Sequence, residues 1–130
     1  MSQNFKPPGY NSVSPYFVVD GAEKLIALLV KIFEAEELRK YEDPDGRIIH
    51  AEIKIDDSVL MFGNSSERYP PNKLLIHIYV PNVDATFQKA IDMGCEPVEK
   101  PTERENDPDR RGSFRDFAGN EWSVSTQVSD

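Results

Sequence analysis

"LLIHIYVPNVDATFQKAIDMG", residues 74–94, begins as one kind of element and ends as another. Its first seven residues are β-rich, and the side chains of Leu75, His77 and Tyr79 alternate with those of Ile76, Ile78 and Val80, the period of two expected of a strand. Asn82 then offers a helix cap, the next ten residues carry apolar side chains at helical spacing, and Gly94 offers a stop. A short strand over "EPVEKP", a charged loop "TERENDPDRRG", a strand "SFRDF", a turn "AGN" and a last strand "EWSVSTQ" follow.

The same order precedes it. "VSPYFVV" (13–19) reads as a strand. "GAEKLIALLVKIFEAE" places Ala22, Leu25, Ile26, Leu28, Leu29, Ile32 and Phe33 at helical spacing. Pro44-Asp45-Gly46 is a turn tripeptide. "IIHAEIKI" then alternates, with Ile49, Ala51, Ile53 and Ile55 opposite His50, Glu52 and Lys54, and a tight "DD" connection leads into "SVLMFG". Both halves therefore read strand, helix, strand, strand, strand, an internal repeat. "SPYFVVDGAEK" parallels "IHIYVPNVDAT", "FEAEELRKYEDPD" parallels "MGCEPVEKPTERE", and "AEIKIDDSVLMFG" parallels "FRDFAGNEWSVS". The expected organisation is an arm (1–12), a first βαβββ unit (13–63), a linker "NSSERYPPNK" (64–73) and a second βαβββ unit (74–127), together one domain over 13–127. The fold class is α+β: two βαβββ repeats whose curved mixed sheets bury one face under a helix and leave the other to form a cleft.

Composition narrows the function. At 130 residues, 38% hydrophobic and 29% charged, the chain suits an ordinary globular domain. The longest apolar run, "LIALLV", is too short to cross a bilayer, and "MSQNFKPPGYNSVS" has no apolar core of a signal peptide. One cysteine, Cys95, excludes an intrachain disulfide and suits a reducing cytoplasm. A net charge of −8 with no basic patch argues against nucleic acid. An acidic surface attracts cationic small molecules, although it also serves plain solubility. No phosphate loop, nucleophile elbow or dinucleotide fingerprint is present.

The order and spacing of "SPYFVVDGAEKLI", "DGRIIHAEIKIDDSVLMFG", "IHIYVPNVDATFQKAIDMG" and "RDFAGNEWSVST" resemble the glyoxalase/bleomycin-resistance/dioxygenase (vicinal oxygen chelate) superfamily, and its PhnB-like branch in particular. The likeness covers nearly all of the chain after residue 12. The family's "DPxGN" turn stands here as "DFAGN", with Phe117 in place of proline. The resemblance implies a divalent metal held by one side chain from the first and one from the last strand of each unit, which carries over to Ser14, Met61, His77 and Ser123. Only His77 is an ordinary ligand; serine is a poor one, and the Met61 thioether is unsuited to magnesium, manganese, nickel or zinc. Should an ion be held, His77 with Glu52, His50 or Glu121 would have to do it. No cofactor is expected, with a divalent metal the alternative.

The expected cleft lining is Ser14, Tyr16, His50, Glu52, Met61, His77, Tyr79 and Ser123, mixed polar and apolar as small-molecule pockets are. Plainer roles stand beside each. His77 would hydrogen-bond a hydroxyl such as Ser14 or Ser123, Tyr16 and Tyr79 would fill space, His50 and Glu52 would form a polar pair, and Trp122 would be core. "ERENDPDRR" would be a solvated loop, unless it folds over the cleft and Arg110 or Arg111 fixes an anionic group. Nothing near Cys95 favours a thiolate. The expected function is small-molecule binding by a homodimer without a catalytic metal. The alternative is a metal-dependent lyase, isomerase or dioxygenase acting through His77 and Glu52, and a partner-protein or assembly role is a third reading.

Overall fold

The computed structural model describes residues 5–130. The chain falls into a unit ending at Asn72 and a second unit from Lys73 to Asp130. The first runs β1 (Tyr16–Val19), α1 (Ala22–Phe33), β2 (Glu36–Glu42), β3 (Ile48–Ile55) and β4 (Ser58–Asn64). The second runs β5 (Leu75–Tyr79), α2 (Val83–Asp92), β6 (Glu96–Glu103), β7 (Asp109–Arg115) and β8 (Glu121–Gln127). Each unit is a four-stranded mixed sheet, in the orders β1-β4-β3-β2 and β5-β8-β7-β6. The first strand pairs parallel to the last, and the remaining pairs are antiparallel. This is the α+β fold read from the repeat.

In the first unit α1 buries Ala22, Leu25, Ile26, Leu29 and Ile32 against β3 and β4. The sheet answers with Phe17, Val19, Ala51, Ile53, Leu60 and Phe62, all buried, and the Phe17 and Phe62 rings stack with centroids 4.8 Å apart. Burying each large aliphatic or aromatic side chain is worth about 1.5–3 kcal/mol, so Leu29→Ala, which leaves a cavity as well, would cost about 2–5 kcal/mol. In the second unit Val83, Phe87 and Ala90 of α2 are buried beside Phe114, Trp122 and Val124.

Both helices are started by the last strand of their own unit. The position before α1 is Gly21, which has no side chain to cap with, and Asn64 Oδ1 accepts from Gly21 N and Ala22 N instead. Its Nδ2 donates to Glu23 Oε1 and to the Ile48 carbonyl, tying the helix start to β3 and β4. In α2 the Asn82 side chain caps Ala85 N as expected, and Thr126 of β8 adds a bond from Val83 N. Asn64 and Thr126 occupy matching places in the repeat.

The structure departs from the sequence reading at several points: β1 begins at Tyr16 and not at Val13, and β6 runs on to Glu103, through residues assigned to the charged loop. The "DRR" assigned to a loop belongs to β7, because Arg110 and Arg111 pair with Thr126 and Ser125 of β8. Ile49, expected to share a face with Ala51, Ile53 and Ile55, is 59% exposed. The cause is a bulge: Tyr41 lies opposite His50 but Glu42 lies opposite Ile48, so Ile49 is the unpaired extra residue. Of the expected arm, residues 1–4 lie outside the described residues. Of the remainder, Tyr10 and Asn11 reach the first sheet: Asn11 Oδ1 accepts from Val59 N and Arg39 lies 5.1 Å from the Tyr10 ring centre.

Candidate functional site

The non-helix face of the first sheet carries Tyr16, Met61 and Glu52 across one row, since Met61 lies opposite both Tyr16 and Glu52. Gly63, next along the face, lies opposite Val18. A Cβ on Gly63 would stand 3.0 Å from the Tyr16 hydroxyl and 2.9 Å from the Ile49 carbonyl. The absence of that Cβ lets the tyrosine lie across the strand to reach His50.

A continuous hydrogen-bond chain results. The Tyr16 hydroxyl is 2.9 Å from His50 Nδ1, His50 Nε2 is 2.9 Å from Glu52 Oε2, and the Tyr10 hydroxyl donates to Glu52 Oε1 at 2.5 Å. Glu52 is only 4% exposed. Burial opposes its ionisation, but the bonds from Tyr10 and His50, with the charges of His50 and Arg39, outweigh burial and hold the carboxyl below its usual range. Burial, and then the Glu52 charge, raise Tyr16 above the ordinary phenol value; the bond to Glu52 does the same for Tyr10. Tyr16 and His50 open onto a cavity of about 760 Å³, also lined by Val18, Ile48, Ile49, Arg47, Asn64 and Tyr69. Asp43, Ser65, Ser66 and Asn72 complete its wall. Of the expected cleft lining in this unit, Tyr16 and His50 border the cavity and Ser14, Glu52 and Met61 do not. The bulge that exposes Ile49 and the folding of "NSSERY" beside the sheet leave no periodic signal.

The second unit repeats the row with other chemistry. His77 lies opposite Ser123, which lies opposite Ser113. His77 Nε2 is 3.0 Å from Ser125 Oγ, so its hydroxyl partner is Ser125 and not the expected Ser14 or Ser123. The Tyr79 hydroxyl donates to Asp109 Oδ2 at 2.7 Å, which raises its pKa. Glu121 lies opposite Leu75 and Arg115, pairing with the Arg115 guanidinium at 3.3 Å. His77, Ser123, Glu121, Arg104 and Arg111 line a smaller hollow of about 410 Å³. Arg110 is committed to Asp84 by two bonds of 2.9 Å, and Arg111 to Asp107 at 3.0 Å.

The two registers also correct one carried-over position. Tyr16 faces Met61 as His77 faces Ser123, so Tyr16, and not Ser14, is the first unit's counterpart of His77. Ser14 precedes β1, and its hydroxyl is buried without a hydrogen-bond partner among the described residues. The corrected set is a phenol, a thioether, an imidazole and a hydroxyl, which does not fit a divalent cation. Glu52, opposite Met61, is tied to His50 and to the Tyr10 hydroxyl. Among the described residues no three His, Cys, Asp or Glu side chains group as metal ligands.

Residues 11–124 match the profile of the Glyoxalase/Bleomycin resistance protein/Dioxygenase superfamily. The chain belongs to that superfamily. An uncharacterized protein of Mycobacterium bovis is 32% identical over 141 residues, with 100% of this chain and 90% of the relative covered. Among solved structures, TioX of Micromonospora sp. ML1 superposes with a TM-score of 0.73 at 20% identity, covering 88% of this chain and 95% of its own. The fosfomycin resistance protein FosX of Listeria monocytogenes, complexed with Mn(II) and sulfate ion, gives 0.68 at 16% identity, covering 92% and 90%. Both solved structures share the fold. No helix among the described residues is long and apolar enough to cross a membrane.

Proposed function

We propose that this superfamily member binds a small organic molecule in the cavity of its first unit, without a catalytic metal. The observation that carries the reading is the cavity itself. Its volume of about 760 Å³ lies within the roughly 300–1,000 Å³ of ligand sites, and apolar and aromatic walls (Val18, Ile48, Ile49, Tyr69) meet a few convergent polar groups (Tyr16, His50, Arg47). The exposure of Ile49, an apolar side chain turned out of the sheet's core face by a bulge, supports the same use. Within the superfamily, the proposal places the chain in the PhnB-like branch, on the order and spacing of the four stretches that carry the likeness. A cleft shared between two copies of the chain is a further part of the proposal, and a monomeric mass by light scattering at micromolar concentration would remove it.

The test is fluorescence titration with N-phenyl-1-naphthylamine, a neutral aromatic probe that brightens in apolar surroundings. Saturable binding is expected, and Ile49→Lys, at a position exposed enough to leave the fold intact, should abolish it. Absence of saturable binding, or a lysine variant that binds as wild type does, would reject the reading.

A further inference from the structure

We infer that Tyr16, His50 and Glu52 form a proton relay that makes this cavity a general-base site for a weakly acidic C–H or O–H group on the bound molecule. The relay rests on the cavity being a ligand site and adds a chemical step to it. Its direction follows from what each group can do. An ionised carboxylate can only accept, so Glu52 takes a hydrogen from His50 Nε2 and one from the Tyr10 hydroxyl. In a neutral imidazole whose Nε2 carries the hydrogen, Nδ1 is a bare acceptor, and its partner is the Tyr16 hydroxyl. The Tyr16 oxygen keeps lone-pair capacity, and the residue lines the cavity.

A proton accepted at that oxygen releases the phenol's own proton to Nδ1. The substrate C–H or O–H bond breaks, an O–H bond forms on Tyr16, the old Tyr16 O–H bond breaks, and an N–H bond forms on His50. The electron pair stays on the substrate atom. The imidazolium produced faces the Glu52 carboxylate at 2.9 Å, the orienting partner that makes such a base effective. No free phenolate is formed, which suits a Tyr16 pKa raised by burial and by the Glu52 charge. Arg47 lines the same cavity, and its ion pair is with Asp20 at 3.8 Å, both side chains being well exposed, so it is available to the anion left behind. In the second unit Ser113 lies opposite Ser123 as Glu52 lies opposite Met61, so a hydroxyl stands in the carboxylate's place and the relay is not repeated there.

The test uses 5-nitrobenzisoxazole, a flat carbon acid. Removal of its ring C–H proton breaks the N–O bond and places the electron pair on the oxygen of a coloured 2-cyano-4-nitrophenolate. Tyr16 and His50 would be the catalytic residues, and Glu52 a positioning residue. Turnover above an equal concentration of free imidazole is expected. His50→Gln should lower kcat by about 10²-fold or more, and Tyr16→Phe by about tenfold or more, the range of lost general-base assistance. Glu52→Gln, which still accepts from Nε2 but lacks the charge, should lower kcat by about tenfold with KM unchanged. N-phenyl-1-naphthylamine binding by each variant checks that the cavity is intact. A wild-type rate no greater than imidazole, or His50→Gln and Glu52→Gln enzymes retaining wild-type kcat, would overturn the relay. With probe binding retained, the cavity reading survives that result; with probe binding absent from the wild type, both fail.

Discussion

Tyr10→Phe removes one oxygen and nothing else, from a residue far from Glu52 in the chain but bonded to it at 2.5 Å. The Glu52 side chain is 4% exposed, so the carboxylate oxygen left behind has little access to water. A hydrogen bond to a charged group is worth about 1.5–3 kcal/mol. Tyr10 itself is half-buried, which places the expected loss at the lower end, about 1–2 kcal/mol. For a chain of this length that is a fall in Tm of about 3–10 °C. The loss must also depend on pH. Glu52 is held below its usual range when folded, partly by the Tyr10 bond, so its ionisation stabilises the folded chain above the unfolded value of about 4.3. That contribution disappears as pH falls through the lowered folded value. Urea denaturation of both proteins across pH should therefore show the full difference near neutrality and its closure below about pH 4. A difference that persists undiminished in acid, or no difference at neutral pH, would refute the assignment of Tyr10 to the Glu52 carboxylate.

Gly63→Ala should push the Tyr16 hydroxyl off His50 and cost about 1–3 kcal/mol, since the new Cβ would meet the Ile49 carbonyl at 2.9 Å; calorimetry and probe titration read both effects. Asp116→Asn should cost about 2–4 kcal/mol in chemical denaturation. The buried Asp116 carboxylate accepts from Ala118 N, Asn120 N and Trp122 Nε1, and an amide group would set donor against donor. Cys95, its thiol pushed up to about 11 by burial and then by the Asp116 charge, should resist iodoacetamide at neutral pH until denaturant is added. Mn(II) or Zn(II) should leave Tm unchanged, whereas a rise that saturates at one ion per chain would restore the metal-enzyme reading.

The layers of each unit were legible because the strand period is two. Ala51, Ile53 and Ile55, placed on one face by alternation, and Trp122, read as core, are all buried, whereas Ile76 and Ile78 are half-buried. Three features broke that logic. The bulge at Ile49 changes a side chain's face without changing residue type, so alternation assigned it to the core. Tyr10 lies in a polar stretch with no periodicity, and only folding shows that it completes the Glu52 site. The parallel drawn between Ser14 and the start of "IHIYV" is one residue out of the observed register, in which Tyr16 is the counterpart of His77. The helix starts supplied by Asn64 and Thr126 were invisible for a related reason: each accepting side chain is about 40 residues from the helix it serves.

Amide NMR under titration with N-phenyl-1-naphthylamine tests residue by residue whether the first unit's cavity is the ligand site. Saturable shifts are expected at Ile49, His50, Asn64, Ser65 and Tyr69, with β5–β8 undisturbed. Shifts confined to the strand bearing His77 and Ser123, or none at saturating probe, would contradict it.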